Sequence, residues 1–233
     1  MITRFLFLFV TGLSFYSHAR SLPDSVYPPD TLAIAYHSAW TKTHYPERIS
    51  EFKKAPLQKD DIVFLGNSIT EQGGDWGKRL GWQAAKNRGI SGDVTEGVLK
   101  RLGELMYVKP KAVFLLIGIN DIFNNATTPQ YVADNILAIA KAIRKGSPQT
   151  TFYVQTILPT TTASIKEKIE QTNARLKKKA GRKTYKLIDT HVLFADVRDG
   201  MKKEYTKDGV HLNEDGYTLW ADYLKKQLPG FGK

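Results

Sequence analysis

The chain has no cysteine among its 233 residues. That excludes disulfides, thiolate metal sites and a cysteine nucleophile. It also excludes a lipid-modified N-terminal cysteine. Long apolar runs are scarce too. The longest, residues 5–15 (FLFLFVTGLSF), is short for about 30 Å of hydrocarbon, so no stable membrane insertion is expected. Basic residues exceed acidic ones, 34 to 23, yet no basic stripe is interleaved with aromatic side chains that could stack on single-stranded nucleic acid. The lysines are scattered or fall in helical runs such as Lys177-Lys178-Lys179, the pattern of a solvated face. Nucleic acid is therefore not an expected partner.

What is present begins with an address. Arg4 supplies a positive start, residues 5–15 are almost wholly apolar, and Ser17 and Ala19 put small residues where a signal peptidase reads. Residues 1–19 read as a secretory signal peptide, which implies a periplasmic or extracellular protein. Residues 20–58 form an extension. Pro23, Pro28 and Pro29 keep its start extended, and a helix is expected over residues 41–52, before Pro56.

From residue 59 to residue 233 the pattern is that of one domain. Short apolar runs lie at residues 61–65 (DIVFL), 112–117 (AVFLLI), 151–156 (TFYVQT) and 185–188 (YKLI), with a shorter one at 86–90. Helical stretches alternate with them, at residues 94–106, 129–145, 163–180 and 214–227. Pro129 stands at the first turn of the second, Gly146 just past its end, and Asn213 at the cap of the last. Continuous apolar strands between amphipathic helices predict a parallel sheet of about five strands covered on both faces, a doubly wound α/β sandwich. Ligands of such sheets bind beyond the carboxyl ends of the strands, which directs attention to Ser68, Gly92 and Asn120, and to Asp208 and His211 before the last helix.

A serine hydroxyl needs a base to become a nucleophile. Of the five histidines, His18 leaves with the signal peptide, and His37 and His44 lie in the extension. His191 follows Asp189, a pair read as structural near the sheet edge. Only His211 has a carboxylate three residues earlier across a glycine, in Asp208-Gly209-Val210-His211. A tight turn there lets Asp208 hold one ring nitrogen while the other faces a serine. Backbone N–H groups at Ser68 and Gly92 are placed to receive developing negative charge, and Asn120 offers a side-chain amide. No His/Asp/Glu cluster has metal-ligand spacing, so no metal and no cofactor are expected.

Four blocks carry a resemblance. Gly66-Asn67-Ser68-Ile69-Thr70, Asn87-Arg88-Gly89-Ile90-Ser91-Gly92-Asp93, Gly118-Ile119-Asn120-Asp121 and Asp208-Gly209-Val210-His211 resemble, in order, the blocks of the SGNH or GDSL-type hydrolase superfamily. The resemblance implies a flavodoxin-like three-layer α/β/α sandwich and metal-free ester hydrolysis through an acyl-serine. In it Ser68 is the nucleophile, His211 the base and then acid, and Asp208 the residue orienting His211. Ser68, Gly92 and Asn120 form the oxyanion hole. One departure is Asn67, where the family usually has Asp. The blocks are similar to the branch holding platelet-activating-factor acetylhydrolase-like proteins and sialate or glycan O-acetylesterases. That favours removal of acetyl from a small-molecule or glycan ester. A lysophospholipase or longer-chain esterase, and a glycan-binding protein without chemistry, are the rival readings. Asn67 and Trp76 are candidates for the substrate pocket, with Trp76 equally suited to capping the core. Trp40, Trp82 and Trp220 read as packing residues.

Overall fold

The structure is a computed structural model that describes residues 21–181 and 185–231. The signal-peptide reading of residues 1–19 falls outside them. Five strands, β1 (Ile62–Gly66), β2 (Ala85–Gly89), β3 (Ala112–Leu116), β4 (Thr151–Gln155) and β5 (Lys186–Ile188), form one sheet. Their order is β2-β1-β3-β4-β5 and every pair is parallel. This is the flavodoxin-like order, whose crevice lies where the winding reverses beside β1. The predicted α/β/α sandwich with a parallel sheet is observed.

β1 and β3 are buried along their whole length, which is why they read as unbroken apolar runs. Phe64, Phe114 and Tyr153 stand in register on adjacent strands. Their rings stack at 5.1 and 4.5 Å, and Trp76 stacks on Phe64 at 4.3 Å. This aromatic row supports the layer made by α3 (Trp76–Leu80) and α10 (Glu214–Gln227), which contact each other. Alternate residues of the strands point the other way, toward α4 (Thr95–Lys100), α7 (Pro129–Gly146) and α8 (Lys166–Lys179), which pack side by side.

Two expectations are corrected. Residues 94–106 are not one helix: α4 ends at Lys100, with Arg101 as its C-cap, and α5 (Gly103–Val108) starts anew. Arg101 turns inward onto three buried acceptors, and Gly103 lets the carbonyl of Val26 approach where a Cβ would overlap it. Trp40 does not pack inside; it is 59% exposed. Trp82 and Trp220 are buried as expected. Two further helices are short, α2 (Ser68–Glu71) and α6 (Ile119–Phe123), each following a central strand, and α9 (His191–Phe194) follows β5.

The extension folds onto the domain. Its helix α1 (Ala39–Lys54) starts at the Ser38 cap, earlier than the sequence suggests. Tyr45, Ile49 and Phe52 of α1 join Tyr27 and Ile34 in a small core against Ile90 and Val94, beyond the end of β2. Among the described residues no helix is long and apolar enough to cross a membrane.

Candidate active site

β1 ends at Gly66, where a Cβ would overlap the Leu116 carbonyl and the Thr70 hydroxyl. The chain therefore passes close to β3 as it turns into α2. Asn67 caps α2 by accepting the Ile69 N–H at 3.1 Å. That capping needs only a side-chain oxygen, so Asn serves where the family usually has Asp. The turn presents Ser68 at the sheet edge. Its Oγ lies 2.9 Å from His211 Nε2, and His211 Nδ1 lies 2.6 Å from Asp208 Oδ2.

The other Asp208 oxygen accepts the backbone N–H groups of Val210 (2.9 Å) and His211 (2.7 Å). Partial burial pushes the Asp208 carboxyl up, but the hydrogen bonds from the His211 and Val210 amides and the imidazole outweigh it and hold it at about 2. Asp208 is thus ionised throughout the neutral range. An ionised Asp208 accepts a hydrogen bond from the Nδ1–H, which leaves Nε2 to accept from the Ser68 hydroxyl. The arrangement can move a proton off serine and hold the resulting imidazolium.

The His211 loop is fastened at several points. Gly209 adopts φ +89°, and a Cβ there would overlap the Thr161 hydroxyl. Thr206 Oγ1 donates to the His211 carbonyl at 2.7 Å and accepts the Gly209 N–H at 2.9 Å. Thr160 Oγ1 donates to the Gly209 carbonyl at 2.8 Å. Tyr217 of α10 donates its hydroxyl to the Ile69 carbonyl at 2.8 Å, tying the serine turn to the helix that follows His211. Thr160→Val keeps the shape of this buried side chain and removes both hydrogen bonds of its hydroxyl, the one to the Gly209 carbonyl and the one from the Thr162 N–H at 3.2 Å. It is expected to lower kcat about tenfold with little change in KM, because small displacements of a catalytic group are costly. Steady-state kinetics check this.

Gly92 has φ +78° and lies against Thr41, whose hydroxyl a Cβ would overlap. Glycine meets both demands. Among the described residues neither the Ser68 nor the Gly92 backbone N–H has an intramolecular acceptor, so both remain available to a substrate oxygen. Asn120 does more than offer a donor. Its Nδ2 donates to the Asp93 carbonyl at 2.9 Å, which ties α6 to the Gly92 loop. A carboxamide has two N–H bonds, and this contact uses one.

The pocket candidates need correction. Trp76 is 1% exposed, stacks on Phe64 and donates its indole N–H to the Thr70 carbonyl at 3.1 Å. It supports α2 from behind, inside the core. Asn67 is equally buried and is occupied as a cap. His191 pairs with Asp199 (2.8 Å), not Asp189, while Asp189 meets Thr156 and Lys177.

A buried network under the site escaped the sequence reading. Asp93 is fully buried. It pairs with His37 Nε2 at 3.0 Å and Arg101 Nε at 2.9 Å. The Arg101 guanidinium also donates to the carbonyls of Arg88 (2.8 Å) and Gly66 (2.9 Å), at the ends of β2 and β1. Asp121, buried beside it, takes the Thr95 N–H at 3.0 Å and the Thr95 hydroxyl at 2.5 Å. Burial raises its carboxyl to about 6 despite those bonds. Glu71 accepts from His44 at 3.0 Å and from the Ser91 N–H at 2.5 Å. These partners are up to 56 residues apart, so no local spacing announces them. Among the described residues no group of three His, Asp or Glu side chains is placed to hold a metal ion.

Comparisons with known proteins bear on the family and the fold. The model of the GDSL-like Lipase/Acylhydrolase family matches residues 64–219. The platelet-activating factor acetylhydrolase IB subunit alpha1 of Rattus norvegicus is 29% identical over 187 residues, covering 77% of this chain and 78% of its own. A Streptococcus pneumonia structure described as a platelet activating factor superimposes with TM-score 0.72 at 25% identity, over 81% of this chain and 94% of that one. The acetyl xylan esterase AlAXEase shares the fold, with TM-score 0.62 at 19% identity over 72% and 99% of the two chains. The family match spans the serine, glycine, asparagine and histidine blocks in order on the fold just described, and the chain belongs to the GDSL-like lipase/acylhydrolase family.

Proposed function

We propose that this chain is a serine esterase that removes short acyl groups, chiefly acetyl, from carbohydrate through an acyl-serine intermediate. The observation that carries the reading is the continuous Asp208–His211–Ser68 chain, with contacts of 2.6 and 2.9 Å. Ser68 Oγ attacks the ester carbonyl carbon and its proton passes to His211 Nε2. The Ser68 and Gly92 amides, with Asn120, receive the charge on the carbonyl oxygen. His211 then gives the proton to the departing alkoxide, which leaves as the sugar hydroxyl. Water enters, loses its proton to His211 and attacks the acyl-serine; collapse returns the proton to Ser68 and releases acetate.

The preference for acetyl draws on the names of similar proteins, an acetylhydrolase and an acetyl xylan esterase. The proposed place of action is the periplasm or the cell exterior, on the strength of residues 1–19. The test is the rate on p-nitrophenyl acetate, butyrate and octanoate. Activity is expected to fall at least about tenfold from acetate to octanoate, since a small acyl site rejects added methylenes. A flat or rising series overturns the short-acyl reading in favour of a longer-chain esterase. No hydrolysis of any ester favours a binding protein on the same fold.

A further inference from the structure

The family match begins at residue 64, yet the segment before it reaches the catalytic edge. His37 binds Asp93, Thr41 lies against Gly92, and His44 binds Glu71. All three belong to the start of α1 or the turn before it, so this segment walls the side of the site formed by Gly92.

On that wall stands Trp40. Its neighbours along α1 are accounted for: Thr41, Tyr45, Ile49 and Phe52 face inward and are buried. Trp40 and His44 form the adjacent i, i+4 row. The two rings stack at 4.5 Å with 23° between planes, so one indole face rests on the imidazole while the residue stays 59% exposed. His44 is in turn anchored by Glu71, whose carboxylate also accepts the Ser91 N–H. Ser91 precedes Gly92, and Glu71 lies one helical turn after Ser68. A large aromatic side chain is thus held still, open on one side and linked through two contacts to both halves of the site. A rigid aromatic platform costs little entropy on binding. One face of a pyranose carries a row of C–H groups that suits the electron-rich face of an indole, and the polar His44 and Glu71 beside it suit hydroxyls better than alkyl chains.

We infer that Trp40 is a sugar-stacking subsite, the surface on which a pyranose ring of the acylated carbohydrate lies while its ester reaches Ser68. This rests on the carbohydrate esterase reading above. It makes residues 21–58 a specificity element of the active site.

The test compares wild type, Trp40→Ala and Trp40→Phe on acetylated xylotetraose, an acetylated galacturonate trimer, 9-O-acetyl-N-acetylneuraminic acid and p-nitrophenyl acetate. On whichever sugar wild type deacetylates fastest, Trp40→Ala is expected to raise KM about tenfold, equivalent to about 1.4 kcal/mol of binding. The Trp40→Phe variant should recover most of it, and p-nitrophenyl acetate, which has no sugar ring, should be unaffected. A second readout avoids catalysis. The other tryptophans, Trp76, Trp82 and Trp220, are 1%, 6% and 0% exposed, so ligand-induced changes in indole emission report on Trp40. Titrating Ser68→Ala with the same sugar should shift its emission, and Ser68→Ala/Trp40→Phe should not respond. If wild type deacetylates a sugar but Trp40→Ala leaves its KM unchanged, or if sugar binding measured by calorimetry leaves the emission unmoved, the subsite is overturned while the esterase reading stands. If wild type hydrolyses p-nitrophenyl acetate and none of the sugars, the carbohydrate reading itself fails and takes the subsite with it.

Discussion

Ser68→Ala is expected to reduce kcat on p-nitrophenyl acetate by at least about 10⁵-fold, the scale seen when the nucleophile of a serine triad is removed. The removed atom is the one that receives the acyl group, and His211 Nε2, 2.9 Å away, then has no hydroxyl to deprotonate. What remains is charge stabilisation by the Ser68 and Gly92 amides, which gives a small residual rate over water. The substitution should leave the fold intact. Ser68 sits at the first position of α2, whose cap is supplied by Asn67, and the loss of one partly buried hydroxyl removes only its hydrogen bond to His211. The melting temperature is therefore expected to stay within a few degrees of wild type, about what 1 kcal/mol moves in a domain of this size. Measuring both separates chemistry from folding. Near-wild-type turnover by a folded Ser68→Ala protein would refute the mechanism outright.

Arg101→Met is expected to cost about 3–5 kcal/mol of unfolding free energy, the usual result of removing one member of a buried ion pair. The side chains of Arg101 and Asp93 are 3% and 0% exposed. Without the guanidinium, Asp93 keeps His37 and the Val94 N–H as partners, too little to replace the charge-assisted hydrogen bond from Arg101 Nε. The carbonyls of Arg88 and Gly66 lose a donor at the same time. Urea denaturation reads the loss directly. Arg101→Lys should recover only part of it, because an ammonium restores the charge without the planar set of donors that reaches three acceptors at once. The Arg101→Met/Asp93→Leu double variant should be more stable than Arg101→Met alone, since it removes the stranded carboxylate. A loss below about 1 kcal/mol for Arg101→Met would mean that water or a rearranged His37 takes the arginine's place. Because the network lies directly beneath Gly66 and Gly92, esterase activity at temperatures well below the melt should fall too.

The contrast between these two residues separates what is local from what is not. Ser68, Gly92, Asn120 and the Asp208–His211 pair are legible in the sequence because each adjoins an element with a local signature. The continuous apolar runs of β1 and β3 mark strands buried on both faces, so their carboxyl ends can be located by eye, and a parallel sheet gathers such ends at one edge. Asp208 and His211 meet across three residues, through a turn that Gly209 permits. Arg101 was hidden for the opposite reason. Its place eight residues after Asp93 fits an exposed position on a helix, and only the approach of β1 and β2 adds two buried carbonyls to the Asp93 carboxylate as acceptors for its guanidinium. The tryptophans make the same point. Trp76 and Trp40 carry the same apolar ring, and no periodicity tells them apart. Trp76 is buried because Phe64, Tyr217 and Trp220 converge on it from the sheet and α10, whereas Trp40 stays at the surface because α1 turns its Thr41 and Tyr45 row, not its Trp40 and His44 row, toward the domain. Strands, turns and the order of the site blocks follow from backbone preference and burial pattern within a few residues. Which charge is buried, which aromatic is exposed, and that the segment before residue 59 walls the site are set by packing between residues tens of positions apart, where the partner rather than the local pattern determines the free energy.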